Sequence, residues 1–276
     1  SREVSLSGDK LNQAGLMASH KSVYNVEYDK GLLSEVLNYV ENKDLLQKPY
    51  VATYYYIYKT LGEKEVDSHF ENLKFQINNS GHTFPPADKG PIYLMAINYC
   101  IHRMNAGAKE YIKEAFFLYK EGIENKALIE DTGHLSRFAF QNVIAIALRL
   151  KEYQWVENFI EDYQSFLQEK YRQSSVHYNQ AKLYYEKGVY DNATELFMQF
   201  EHKDILLNLN AKSMLLKMYY EQSEFRILES LLESVRAYLQ RKKVRGYHKS
   251  NYKNIIRYTK KLRKVNPYSK AQKEKL

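Results

Sequence analysis

YNQAKLYYEKGVYDNATELF, residues Tyr178 to Phe197, decides how the rest of the chain is read. Ala181 sits inside a run with helical spacing, and Gly188 interrupts that run. Tyr190 follows two residues later, Ala193 three after that, and Phe200 closes the set. A small mid-helix residue lets a second helix approach closely, and the aromatic after the turn fills the hollow where one helical hairpin meets the next. Ala181, Tyr184, Gly188, Tyr190, Ala193 and Phe200 have counterparts 35 residues on in Leu216, Tyr219, Ser223, Phe225, Leu228 and Val235. They have counterparts 37 residues back in Ile144, Ala147, Lys151, Tyr153, Val156 and Tyr163. A period of this length marks stacked helical hairpins, each of which needs its neighbours to bury its apolar face.

Outward from this unit the pattern stays helical. Leu33, Val36, Leu37 and Val40 recur at three and four, and short breaks follow at Lys48-Pro49, Gly62-Glu63, Ala106-Gly107 and Asp131-Thr132-Gly133. The long break runs from Asn79 to Gly90, and Pro91 suits the first turn of the helix after it. Asp131 or Thr132 is expected to cap the next helix. With 11 Gly and 5 Pro there are few of the turns an all-β chain requires. The fold class is therefore all-α, a solenoid of about five or six hairpins. Residues 1–30 read as a poorly ordered lead-in or a frayed helix, 31–245 as the repeat domain, 246–265 as a basic capping helix and 266–276 as a basic tail.

The repeat resembles the tetratricopeptide (TPR) repeat. Looser matches lie at Pro49–Ile77 and Pro91–Gly122. Ser223 and Lys151 stand where the turn Gly is usual, Phe200 where Ala is usual, and the spacing exceeds the usual 34, so the chain is TPR-like rather than strict. Stretches such as YYYIYKTL, AINYCI and GYHKSNYKNIIRYTKKL also resemble a bacterial family of longer TPR-like proteins. That resemblance implies a C-terminal portion and brings no activity with it.

No apolar run approaches the roughly 18 residues of a membrane span. Cys100 is the sole cysteine, which excludes an intramolecular disulfide and a cysteine-cluster metal site and makes the cytoplasm the expected location. None of the eight His residues has another four residues away, and no phosphate loop, HExxH or GxSxG motif occurs. No catalytic constellation, cofactor or metal site is expected, and the chain reads as a non-enzyme. The formal charge of +8 is segregated. From Arg241 onward there are fourteen basic residues against one acid, Glu274, which leaves 27 basic and 32 acidic residues in the remainder.

Two surfaces are candidate sites. In the resemblance to TPR hairpins the first helix of each unit lines a concave groove. That register selects Tyr178, Lys182, Tyr185 and Glu186, then Lys217, Tyr220 and Glu221 after Ser213. These residues read either as ordinary i,i+4 pairs or as a groove for a peptide or protein partner. The cations of a chaperone-tail clamp are missing: Gln141, Tyr178 and Ser213 occupy those places. In the capping helix, Tyr252, Ile255, Ile256, Thr259 and Leu262 form one apolar face, and Lys249, Lys253, Arg257, Lys260, Lys261 and Lys264 point elsewhere, the last five as anion-binding candidates. That basic stripe reads either as a solvated cap or as an anion-binding surface for RNA, DNA, an acidic protein or lipid head groups, with interleaved Tyr favouring single strands. A protein scaffold is the first functional reading and nucleic-acid association the alternative.

Overall fold

The computed structural model describes residues 2–24, 28–29, 31–199, 205–242, 244, 246–265 and 269–270. Phe200 and all of the expected tail except Ser269 and Lys270 lie outside the described residues. Among these residues the chain is all-α; the only β feature is an isolated bridge between Ile129 and Leu135. It divides into two compact units, 1–150 and 151–276.

The first unit contains α1 (Arg2–Tyr24), α2 (Leu33–Asn42), α3 (Pro49–Gly62), α4 (Asp67–Ser80), α5 (Pro86–Asn105), α6 (Tyr111–Glu124) and α7 (Arg137–Arg149). Of the two forms expected for residues 1–30, the described part takes the helical one, α1, which packs along α3. Its contact face is small: a Cβ at Gly8 would overlap the Tyr50 ring, Ala14 is buried, and Leu11 is fully enclosed. Tyr50 also donates to Asp9 Oδ1 at 2.9 Å. Gly and Ser make this helix look weak in sequence, yet their small size is what allows the approach.

Two helix starts differ from expectation. Pro86 takes the first position of α5, with its φ already near the helical value, so Pro91 lies inside the helix and not at its start. Ser136, not Asp131 or Thr132, caps α7 by accepting from the Phe138 amide at 3.3 Å. Asp131-Thr132-Gly133 instead forms the turn of the small bridge, with Gly133 at φ +78° and its amide on the Glu130 carbonyl at 2.8 Å.

The second unit contains α8 (Tyr153–Tyr163), α9 (Glu169–Glu186), α10 (Tyr190–Met198), α11 (Ile205–Glu221), α12 (Phe225–Arg241) and α13 (Gly246–Lys264). Here α9 pairs with α10, and α11 with α12. Both first helices end in the same way. After α9, the Val189 amide bonds the Tyr184 carbonyl at 2.9 Å and the Gly188 amide bonds Tyr185 at 3.0 Å. After α11, Glu224 bonds Tyr219 at 2.8 Å and Ser223 bonds Tyr220 at 3.1 Å. This is the six-to-one and five-to-two arrangement that needs a left-handed residue just beyond the helix. Gly188 has φ +76° and Ser223 φ +61°; Lys151, at the third equivalent position, has φ +63°. The turn geometry is thus shared although the glycine is not.

Ala181 and Ala193 are both fully buried, with Leu216 and Leu228 at the matching places of the next hairpin. They belong to one apolar cluster that continues into α13 through Tyr252 and Ile256. The Tyr252 hydroxyl donates to Asn210 Oδ1 at 2.6 Å, tying α13 to α11. Ile255 is partly buried against the cluster, while Leu262, expected on the docking face, is exposed.

Two substitutions test this register. Ser223→Gly removes the Cβ from a left-handed position and is expected to stabilise the protein by up to about 1 kcal/mol. Ala193→Leu forces three extra carbons into a closed contact and is expected to cost about 1–3 kcal/mol. Denaturant unfolding midpoints measure both, and an unchanged midpoint for Ala193→Leu contradicts the register.

Candidate anion-binding cleft

Two of the seven groove candidates are covered within the unit. Tyr178 is buried, its ring packed edge-on to Phe197 at 5.9 Å. Tyr185 is also buried, and its hydroxyl lies 2.9 Å from both carboxylate oxygens of Glu221 on α11. Lys217 completes that group, with its ammonium 4.7 Å from the Tyr185 ring and 3.9 Å from Glu221. The match of Tyr and Glu across successive repeats therefore ties α9 to α11. Lys182 is half-buried 5.9 Å from the Tyr178 ring, and burial holds its ammonium below the usual lysine range against the opposing pull of Glu186. Of the seven groove candidates, Glu186, Lys217, Glu221 and, in part, Lys182 and Tyr220 remain accessible.

The basic candidates are arranged differently. Helices α12 and α13 pack in antiparallel register, shown by their ion pairs. Arg263 meets Glu229 at 2.8 Å, and one turn on Lys260 meets Glu233 at 2.5 Å. Lys260 holds the exposed Glu233 carboxyl below its usual range, with Arg236 adding a weaker pull from 3.8 Å. The next places on this edge of α12 are Arg236 and Gln240, so its acids end after Glu233. On α13 the cations continue through Arg257, Lys253 and Lys249.

Where the acids end, the two helices enclose a cleft of about 660 Å³. Leu239, Val244 and Ile256 supply its apolar lining, and Arg236, Gln240, Lys242, Lys249, Lys253, Arg257 and Lys260 its polar lining. Among the described residues no carboxylate lines it. Among the described residues, Lys242, Lys249, Lys253 and Arg257 have no acidic partner. Arg257 is oriented by its neighbour, with its guanidinium 4.7 Å from the Tyr258 ring and donating to the Tyr258 hydroxyl at 3.0 Å.

Three of the five basic candidates, Lys253, Arg257 and Lys260, line this cleft; Lys261 and Lys264 do not. Lys261 lies 5.8 Å from the Tyr258 ring. Arg236, Gln240 and Lys242 were missed as site residues, and Lys249 was read in the basic stripe but not singled out. Their signal is the i,i+4 spacing of Arg236 with Gln240 and of Lys249 with Lys253 and Arg257, and it acquires meaning only when the helices are laid side by side.

Elsewhere, Cys100 is fully buried, which pushes its thiol up. No three His, Cys, Asp or Glu residues among those described could hold a metal ion, and no described helix is long and apolar enough to cross a membrane. Compared with protein-family models, curated proteins and solved structures, the chain matches none.

The buried phenols give a pH prediction. Burial pushes Tyr178 from 10.0 up to about 12. Burial and the bond to Asp9 do the same for Tyr50, also to about 12. Tyr185 is raised by burial and by Glu221. The folded state thus favours the neutral phenol. Its contribution is complete below the unfolded value of 10.0 and is lost as the pH climbs from there to about 12. Stability measured against denaturant should fall across that window. Ultraviolet titration showing these phenolates forming at ordinary values with the helices intact would contradict the packing.

Proposed function

We propose that this chain is a non-enzymatic TPR-like helical-repeat protein that binds the phosphate backbone of a nucleic acid through the cleft between α12 and α13. The observation that carries this reading is the end of the acidic run on α12 while the cations of α13 continue. Paired charges are largely spent on each other, whereas clustered unpaired cations raise the local concentration of a polyanion and release its counterions on binding. A chain of this length with a single cysteine, Cys100, does not rely on internal disulfides, which suits a reducing, cytoplasmic setting.

A protein or peptide scaffold is the second reading. It is favoured by the repetition of the α9–α10 and α11–α12 hairpins, whose first helices keep Lys182, Glu186, Lys217 and Tyr220 at least partly accessible. It ranks lower because Tyr178 and Tyr185, its intended aromatic platforms, are buried, and Tyr185 is bonded within the unit.

The test replaces Lys249, Lys253 and Arg257 together with Gln. All are good helix formers, so α13 should persist. Lys260 is left in place because it holds Glu233. Fluorescence anisotropy with labelled RNA and DNA oligonucleotides at two salt concentrations should show steep salt dependence for the native chain. In the variant affinity should fall, and the slope of log affinity on log salt should shrink by about 0.7–0.9 for each phosphate that the cleft no longer neutralises. Native affinity and slope in the variant would reject the cleft and favour the peptide groove.

A further inference from the structure

We infer that the cleft accommodates an unpaired nucleotide, with its base against the apolar lining and its flanking phosphates on the cationic residues, so that the protein selects single strands over duplexes. The inference rests on the nucleic-acid reading and adds to it the form of the ligand.

A site for phosphates alone requires only a charged surface. This one combines six cations with an apolar lining of Leu239, Val244 and Ile256. Those three side chains belong to the apolar core and are 6 %, 7 % and 8 % exposed, so only their edges reach the floor of the recess. Its volume of about 660 Å³ lies within the range of sites that enclose small organic ligands. A duplex keeps its bases stacked inside and presents phosphates and sugars outward. It could reach the cationic residues but would leave the apolar recess uncovered. An unpaired base has two apolar faces and a polar edge, and it supplies both kinds of contact.

The polar residues suit that occupant in detail. Gln240 lines the cleft from α12, is exposed, and makes no hydrogen bond among the described residues. Its amide both donates and accepts, as a base edge does. Arg236 and Arg257 come from the two facing helices, and guanidinium planes are surfaces on which unstacked bases lie. Arg257 is already held in place by Tyr258. On α13, Lys249, Lys253 and Arg257 rise along the helix at about 6 Å per step, which supplies a row of charges along a strand and not a single point.

The test uses the full chain and three labelled DNA ligands of equal length: a single strand, the same strand with abasic sites throughout, and the corresponding duplex. The abasic strand keeps the phosphates and lacks only the bases. Anisotropy across a salt series is expected to give parallel lines for the two single strands, with the abasic strand displaced to at least about tenfold weaker affinity. The duplex should also be at least about tenfold weaker than the intact strand. Equal affinity of intact and abasic strands, or a duplex bound as tightly as the single strand, overturns this inference. The nucleic-acid reading survives that result if binding remains salt-dependent and is weakened by the triple Gln substitution. Failure of all three ligands to bind overturns both.

Discussion

The second unit depends on a helix-ending turn that requires one residue in the left-handed conformation. That residue reverses the chain after two amide bonds and sets the following helix against the previous one. Gly188 adopts it with little penalty, while Ser223 must hold a Cβ there. With the turn set, Ala181 and Ala193 fall at the contact between helices, where little else fits. Leu216 and Leu228 hold the matching places in the next hairpin, so the same layout is filled with larger side chains.

Because each hairpin covers only one face of its neighbour, the last one needs a cover. Tyr252 and Ile256 provide it, and Tyr252 adds a hydrogen bond to Asn210. Docking by a narrow apolar face leaves the cations of α13 directed around the contact. Glu229 and Glu233 neutralise those near the helix end, and nothing on α12 neutralises those near the turn. A packing requirement thereby produces an electrostatic one: the contact that closes the apolar core also brings the unpaired cations of α13 and Lys242, just beyond α12, together around a recess.

The tyrosines illustrate how one residue type is divided by its surroundings. Tyr178 and Tyr185 follow the helical register that a groove would use, but Tyr178 packs on Phe197 of α10, and Tyr185 meets Glu221 and Lys217 of α11. Their hydroxyls then matter chiefly for satisfying polar groups, as with Tyr185 on Glu221. In the first unit Tyr99 and Tyr111 do similar work around Arg103, which reaches Asp67 at 2.7 Å.

The all-α class and the basic end were legible in the sequence because each depends on local pattern: apolar residues at three and four, and a count of charges. The helix at residues 2–24 was not legible as an ordered element. Gly8, Ala14 and Gly15 lie on its contact face, where the glycines lower helix propensity, and only the presence of Tyr50 and Ile57 opposite turns their smallness into an advantage. The burial of Tyr178 and Tyr185 was hidden for a related reason, since register gives the direction of a side chain along its own helix but not the distance of the next. The cleft was half legible. Lys253, Arg257 and Lys260 form a stripe that sequence shows, whereas Arg236, Gln240 and Lys242 join it only because α12 and α13 run antiparallel. Sequence determined which charges each helix carries; tertiary packing alone decided which of them meet an opposite charge, because pairing depends on what lies within a few ångströms across a helix contact.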